Sequence, residues 1–185
     1  AEGRLVLADA LVAAGETDPD LMVDVATLTG AQMVALGNRI SAVMANDDAL
    51  RDRVHAAADS AGEQFWPMPL PAELRASMDS AVADIANMGE RYGGMLVAGL
   101  FLSEFVAKRD NPAENGNKDG DGDGNTDGDA AGSGSAGEPI PWAHLDIAGP
   151  AFNTGSAHGY TPVGGTGVAV RTLLSLLEDV AEHGA

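Results

Sequence analysis

Residues 21–31 read LMVDVATLTGA, an apolar, β-branched run that stops at a Thr-Gly pair. Such a run has the character of a strand buried in a sheet. Before it, AEGRLVLADALVAAG (1–15) repeats Leu5, Ala8, Leu11 and Val12 at helical spacing and ends on Gly15, a plausible C-cap. After it, a short apolar run reaches Gly37, and ISAVMAN (40–46) reads as a second strand. Asp47 or Asp48 then caps a helix from about Ala49 to Ala61. FWPMPL (65–70) is extended, because Pro67, Pro69 and Pro71 forbid a helix there.

Further along, PAELRASMDSAVADIANMG (71–89) begins as a helix and leaves its end open between helix and extended chain. The turn RYGG (91–94) leads into a strong helix, MLVAGLFLSEFVAK (95–108). IPWAHLDIAG (140–149) is a strand, and TGVAVRTLLSLLEDVAEHG (166–184) is a long amphipathic closing helix. Strands alternating with helices predict an α/β fold: a three-layer sandwich whose central mixed sheet is flanked by helices. Residues 110–138 break the pattern with Gly, Asp, Asn and Ser and almost no apolar side chains. A stretch of that composition cannot bury enough surface to offset its chain entropy, so a disordered surface insertion within one domain (1–185) is expected.

The chain's 185 residues suffice for one domain with its own core, and 45% of them are hydrophobic. Cysteine is absent, which rules out disulfides and thiol catalysis and fits a reducing compartment. No apolar run reaches the length of about 18 residues that a membrane span needs. Glu2 and Arg4 stand where a signal peptide's basic and apolar regions would begin. A soluble cytoplasmic protein, without membrane partners, is therefore expected. The formal charge of −18 argues against nucleic acid as a partner, since phosphates would be repelled.

Taken by spacing alone, the chemical motifs are weak. Asp119, Asp121, Asp123 and Gly124 begin like an EF-hand loop, but Ala130 stands where the twelfth-position Glu should be. His144 and Asp146 lie two apart on one strand and share a face, as half of a metal site would. The competing reading, a hydrogen-bonded histidine in a core strand, is preferred. His55, His158 and His183 form no spaced ligand set. RYGG and PVGGTG lack phosphate-cradling spacing, and no serine sits in a nucleophile elbow. TLTGA (27–31) follows a strand and can present backbone groups to a ligand at a strand's C-terminal edge.

Several stretches together resemble one family. AEGRLVLADAL (1–11) resembles the signature NTDAEGRLxLADAL of the leucyl (cytosol) aminopeptidases. DVATLTGA (24–31), ADIANMGERYGG (83–94), WAHLDIAGPAF (142–152) and GGTGVAVRTLL (164–174) continue the resemblance in order. It implies the C-terminal part of a catalytic domain with a central mixed sheet, from a two-metal exopeptidase that takes N-terminal residues, Leu-type ones foremost, from peptides. In that family two divalent cations polarise the scissile carbonyl and turn a bridging water into hydroxide. Hard carboxylate ligands suit Mn or Zn, and also Mg or Co.

The resemblance assigns Glu2 as the carboxylate that bridges the metals. It assigns Arg4 as the catalytic residue that holds a bicarbonate ion, whose planar shape matches a guanidinium. Thr27, Leu28 and Gly30 would line the substrate cleft, the first two through backbone groups, and Ala148 and Ala151 would wall the pocket for the substrate's first side chain. Relatives often carry Met at the position of Ala151, so a wider pocket is expected here. They also often carry Pro at the position of Ala169, expected to be the first residue of the closing helix. The family usually forms a homo-hexamer. Its other metal ligands, a Lys and three Asp, and a second, catalytic Lys precede Ala1 in relatives, so the chain alone is expected to be inactive. The competing reading is a non-catalytic complementing subunit or binding module that reuses the scaffold.

Overall fold

The computed structural model describes residues 1–109 and 137–185. The acidic insertion expected at 110–138 lies outside them, except for Gly137 and Glu138, and so does the run from Asp119 to Gly124. The elements follow in the order α1 (Glu2–Gly15), β1 (Met22–Ala26), α2 (Gly30–Leu36), β2 (Ser41–Ala45), α3 (Asp48–Ala61) and β3 (Phe65–Pro67). A 3₁₀ helix (Ala72–Met78), α4 (Gly94–Ser103), β4 (Trp142–Asp146), β5 (Phe152–Asn153), β6 (Gly164–Gly165) and α5 (Val170–His183) complete the described residues.

The main sheet has the order β1-β4-β2-β3. β1 runs parallel to β4, β4 antiparallel to β2, and β2 parallel to β3, so the sheet is mixed. Because side chains alternate along a strand, the register sorts them onto two faces. Val43, Ala45, Ala143 and Leu145 pack with Phe65 against α3 and α5. On the opposite face, Ala42 and Met44 of β2 stand beside Asp146 and His144 of β4 and are covered by α2 and α4. Trp142, on that same face, joins Ala8, Leu11, Val97 and Phe101 of α1 and α4. The result is three layers, helices over sheet over helices.

Side-chain caps fix the starts of two helices. Thr29 begins α2 by accepting the Gln32 N–H on its hydroxyl at 3.0 Å. Asp47 caps α3 in the same way through the Leu50 N–H at 2.7 Å. α4 is apolar all round and buried almost throughout, as a helix without a polar face must be. Two expectations needed correction. α4 stops at Ser103, earlier than the apolar run to Lys108 suggested, as the chain turns through Glu104–Val106. The closing helix begins at Val170, and Ala169 is its N-cap in a left-handed conformation, φ +76°, with 1% of its surface exposed. Proline cannot adopt that φ, so Ala169 is not the first helical position it was expected to be.

Candidate active site

β1 and β4 are parallel, so their C-terminal ends lie at one edge of the sheet. Two loops leave that edge, Thr27–Thr29 after β1 and Ile147–Ala151 after β4. Loops at this edge of an open α/β sheet are where ligands commonly bind. Thr27 and Gly30 are exposed, and Leu28, Ala148 and Ala151 are half-buried. Four of the five expected substrate residues therefore stand on two neighbouring loops, and Gly30 opens α2 directly after the first.

Asp146, the last residue of β4, joins those loops. It is fully buried. Its Oδ1 accepts the N–H groups of Leu28 at 3.0 Å and Ala148 at 3.2 Å, with the Thr29 N–H more distant at 3.5 Å. Its Oδ2 accepts the Thr29 hydroxyl at 2.7 Å. A second tie lies alongside. The buried Gln32 accepts the Gly149 N–H at 2.7 Å and donates to the Ile40 carbonyl at 2.6 Å. Gly149 has to be glycine, because a Cβ there would lie 2.1 Å from the Gly37 carbonyl oxygen.

The first turn of α1 approaches the same edge, since a Cβ on Gly3 would touch the Leu28 side chain at 3.7 Å. Glu2 is exposed in that turn. Arg4 is half-buried and donates to the carbonyls of Asn87 at 2.7 Å and Gly94 at 3.3 Å. The Asn87 side chain returns a bond to the Ala1 carbonyl at 3.1 Å. Burial lowers the Arg4 pKa from its ordinary value, and the negative charge of Asp146 opposes that shift. Arg4 remains charged at neutral pH all the same.

His144 and Asp146 do not converge on one point. His144, fully buried, pairs through Nδ1 with Asp24 Oδ1 at 2.6 Å, and the other Asp24 oxygen accepts the Trp142 indole N–H at 2.8 Å. Both belong to the buried face, one in a core network and one beneath the loops. Among the described residues no group of three or more His, Asp or Glu stands close enough together to hold a metal ion. A metal centre needs several converging donors, so Glu2 and its neighbours do not by themselves fit a dinuclear site.

Sequence reasoning missed Asp146 as the link between the loops, and Gln32 and Asn87 as their supports. The available signal was a carboxylate at the end of a strand in which every position is buried. Such a group must find donors, and the nearest are in the loops that follow the strand ends.

The sequence profile described as "Cytosol aminopeptidase family, catalytic domain" matches residues 1–174. A probable cytosol aminopeptidase of Streptomyces griseus subsp. griseus is 58% identical over 181 residues, covering 98% of this chain and 29% of that protein. One of Rhodococcus opacus is 52% identical over 185 residues, covering 100% of this chain and 30% of that protein. The chain thus spans about three-tenths of the length of these curated relatives. Among solved structures, the bottromycin maturation enzyme BotP in complex with Mn superposes with a TM-score of 0.76 at 43% identity, covering 97% of this chain and 34% of that one. A mutant of tomato leucine aminopeptidase gives 0.74 at 34% identity, covering 96% and 28%.

Proposed function

The chain belongs to the cytosol aminopeptidase family, and from that premise we propose that it forms part of the catalytic domain of a two-metal exopeptidase. The full-length protein would remove N-terminal residues from peptides, Leu-type residues foremost. Glu2 would be one ligand of two divalent cations, Mn or Zn, which when bound polarise a carbonyl and acidify a water. The remaining ligands are assigned to the part of the full-length protein that this chain does not span. A homo-hexamer and a cytoplasmic setting go with the same reading.

The chain's own residues do the holding. Backbone groups of Thr27 and Leu28 bind the substrate's main chain, and Gly30 leaves the approach open. Ala148 and Ala151 wall the pocket for the leading side chain, and their small size admits a broad range of residues. Arg4 offers the donors that its two carbonyl bonds leave free to a planar anion such as bicarbonate.

One observation carries this reading. The loops after β1 and β4 share an edge of the sheet, face the first turn of α1, and meet on one carboxylate. The test is hydrolysis of leucine p-nitroanilide by the full-length protein with added Mn or Zn. Turnover that a chelator stops and Glu2→Ala abolishes is expected. A metal-loaded, folded protein without turnover would overturn the reading. It would favour the non-catalytic scaffold.

A further inference from the structure

We infer that Asp146 is a positioning residue for the substrate cleft: its carboxylate clamps the loop after β1 to the loop after β4 and so sets where the substrate's main chain is held. What the loops hold rests on the aminopeptidase reading; the clamp itself is geometry.

Three features separate this carboxylate from core filling. First, every hydrogen bond of the Asp146 carboxylate comes from a loop donor: Leu28, Thr29 and Ala148. Among the described residues no Lys, Arg or His forms an ion pair with it; Arg4 acts on it only at longer range. Second, Oδ1 is common to both loops, so a shift of either loop unpairs its own N–H and takes a donor from the buried carboxylate. Charge-assisted bonds of this kind are stronger than neutral ones, which stiffens the joint. Third, the residue beside Asp146 on its own face of the sheet, Ala42 of β2, is apolar and buried. An apolar residue at 146 would suit the sheet and leave the loop donors unpartnered. Asp146 lies beneath the cleft and acts through Leu28 and Ala148, so it touches no substrate in this scheme.

The experiment uses the full-length, metal-loaded protein with Asp146→Ala and Asp146→Asn. The alanine variant is expected to raise KM for leucine p-nitroanilide roughly tenfold or more, because misplacing a binding group by about an ångström is enough for that. Its metal content should not change. Asparagine keeps one oxygen for the shared N–H donors and is expected to restore KM to within about threefold of wild type. Amide hydrogen exchange at Leu28 and Ala148 should accelerate in the alanine variant and recover in the asparagine variant. A purely structural role would lower the melting temperature and leave KM and local exchange alone. If Asp146→Ala does not fold, Thr29→Val takes its place; it removes the hydroxyl's bond to Asp146 and with it the α2 cap on the Gln32 N–H, so exchange at Gln32 is followed as the control for the lost cap. It is expected to raise KM about threefold and to speed exchange at Leu28.

A folded, metal-loaded variant with unchanged KM overturns the inference, as does unchanged exchange at both amides. An inactive wild type would instead overturn the aminopeptidase reading, and the exchange measurement would still decide whether the clamp exists.

Discussion

A single residue can carry backbone strain that its neighbours conceal. Ala169 is buried at the head of α5 with φ +76°, a region that costs a non-glycine residue about 1 kcal/mol or more. Ala169→Gly is therefore expected to stabilise the protein by about 0.5–1 kcal/mol in urea denaturation. Ala169→Pro is expected to destabilise it by about 3 kcal/mol or more, since the ring fixes φ on the other side. The sequence did not disclose this. TGVAVRT reads as helix from Thr166, and nothing in its composition marks the left-handed turn. Asp146 shows the same limit in the site. Thr27, Leu28 and Gly30 could be placed from their motif, whereas the carboxylate's partners in the other loop are 117 and 118 residues away in the chain and emerge only from the β1–β4 register.

Among the elements, the legible ones were those with a strong period or composition: α1, α3, α4, α5 and the strands β1, β2 and β4. α2 escaped because seven residues are too few to show a period, and its start depends on the Thr29 cap. β5 and β6 escaped because two-residue strands carry no alternation. The joint between α3 and α5 was equally invisible, yet it makes a testable contribution. The Arg53 guanidinium bonds the Asp179 carboxylate and lowers its pKa from the ordinary value, with burial opposing and His183 assisting. A depressed folded pKa means stability that is present above the ordinary aspartate value and lost as pH falls through the folded one. Asp179→Asn should therefore be less stable than wild type near neutral pH, and the difference should begin to shrink near 3.8 and vanish only below the depressed folded pKa. Asp179 is exposed to solvent, so the effect is small and shrinks with added salt. Urea midpoints from neutral to strongly acidic pH, at low and high salt, check all of this.

Across the whole molecule, apolar side chains remain exposed on α1 (Leu5, Val6, Val12) and on α5 (Val170, Leu174, Leu177). Where the segment 110–136 departs, by contrast, the chain is sealed. Arg109 donates its N–H to the Glu138 carbonyl at 3.0 Å, Ile140 donates to Ala107 at 2.9 Å, and Lys108 pairs with Pro139. Arg109 also donates to the carbonyls of Pro19 and Asp20. With the ends already fastened, loop length carries little entropy. Replacing 110–136 by a Gly-Ser linker of about six residues is expected to raise stability by no more than about 1.5 kcal/mol and to leave turnover unaltered. Thermal melting and the leucine p-nitroanilide assay measure both.

The same fastening has a practical side. Met22 donates to Pro141 just before β1 and β4 begin, so the seal sits at the sheet edge opposite the one from which the Leu28 and Ala148 loops emerge. A fluorophore-bearing peptide or affinity tag spliced between Arg109 and Glu138 would give the protein a handle on its far side. It could then be immobilised or tracked with its mouth left free.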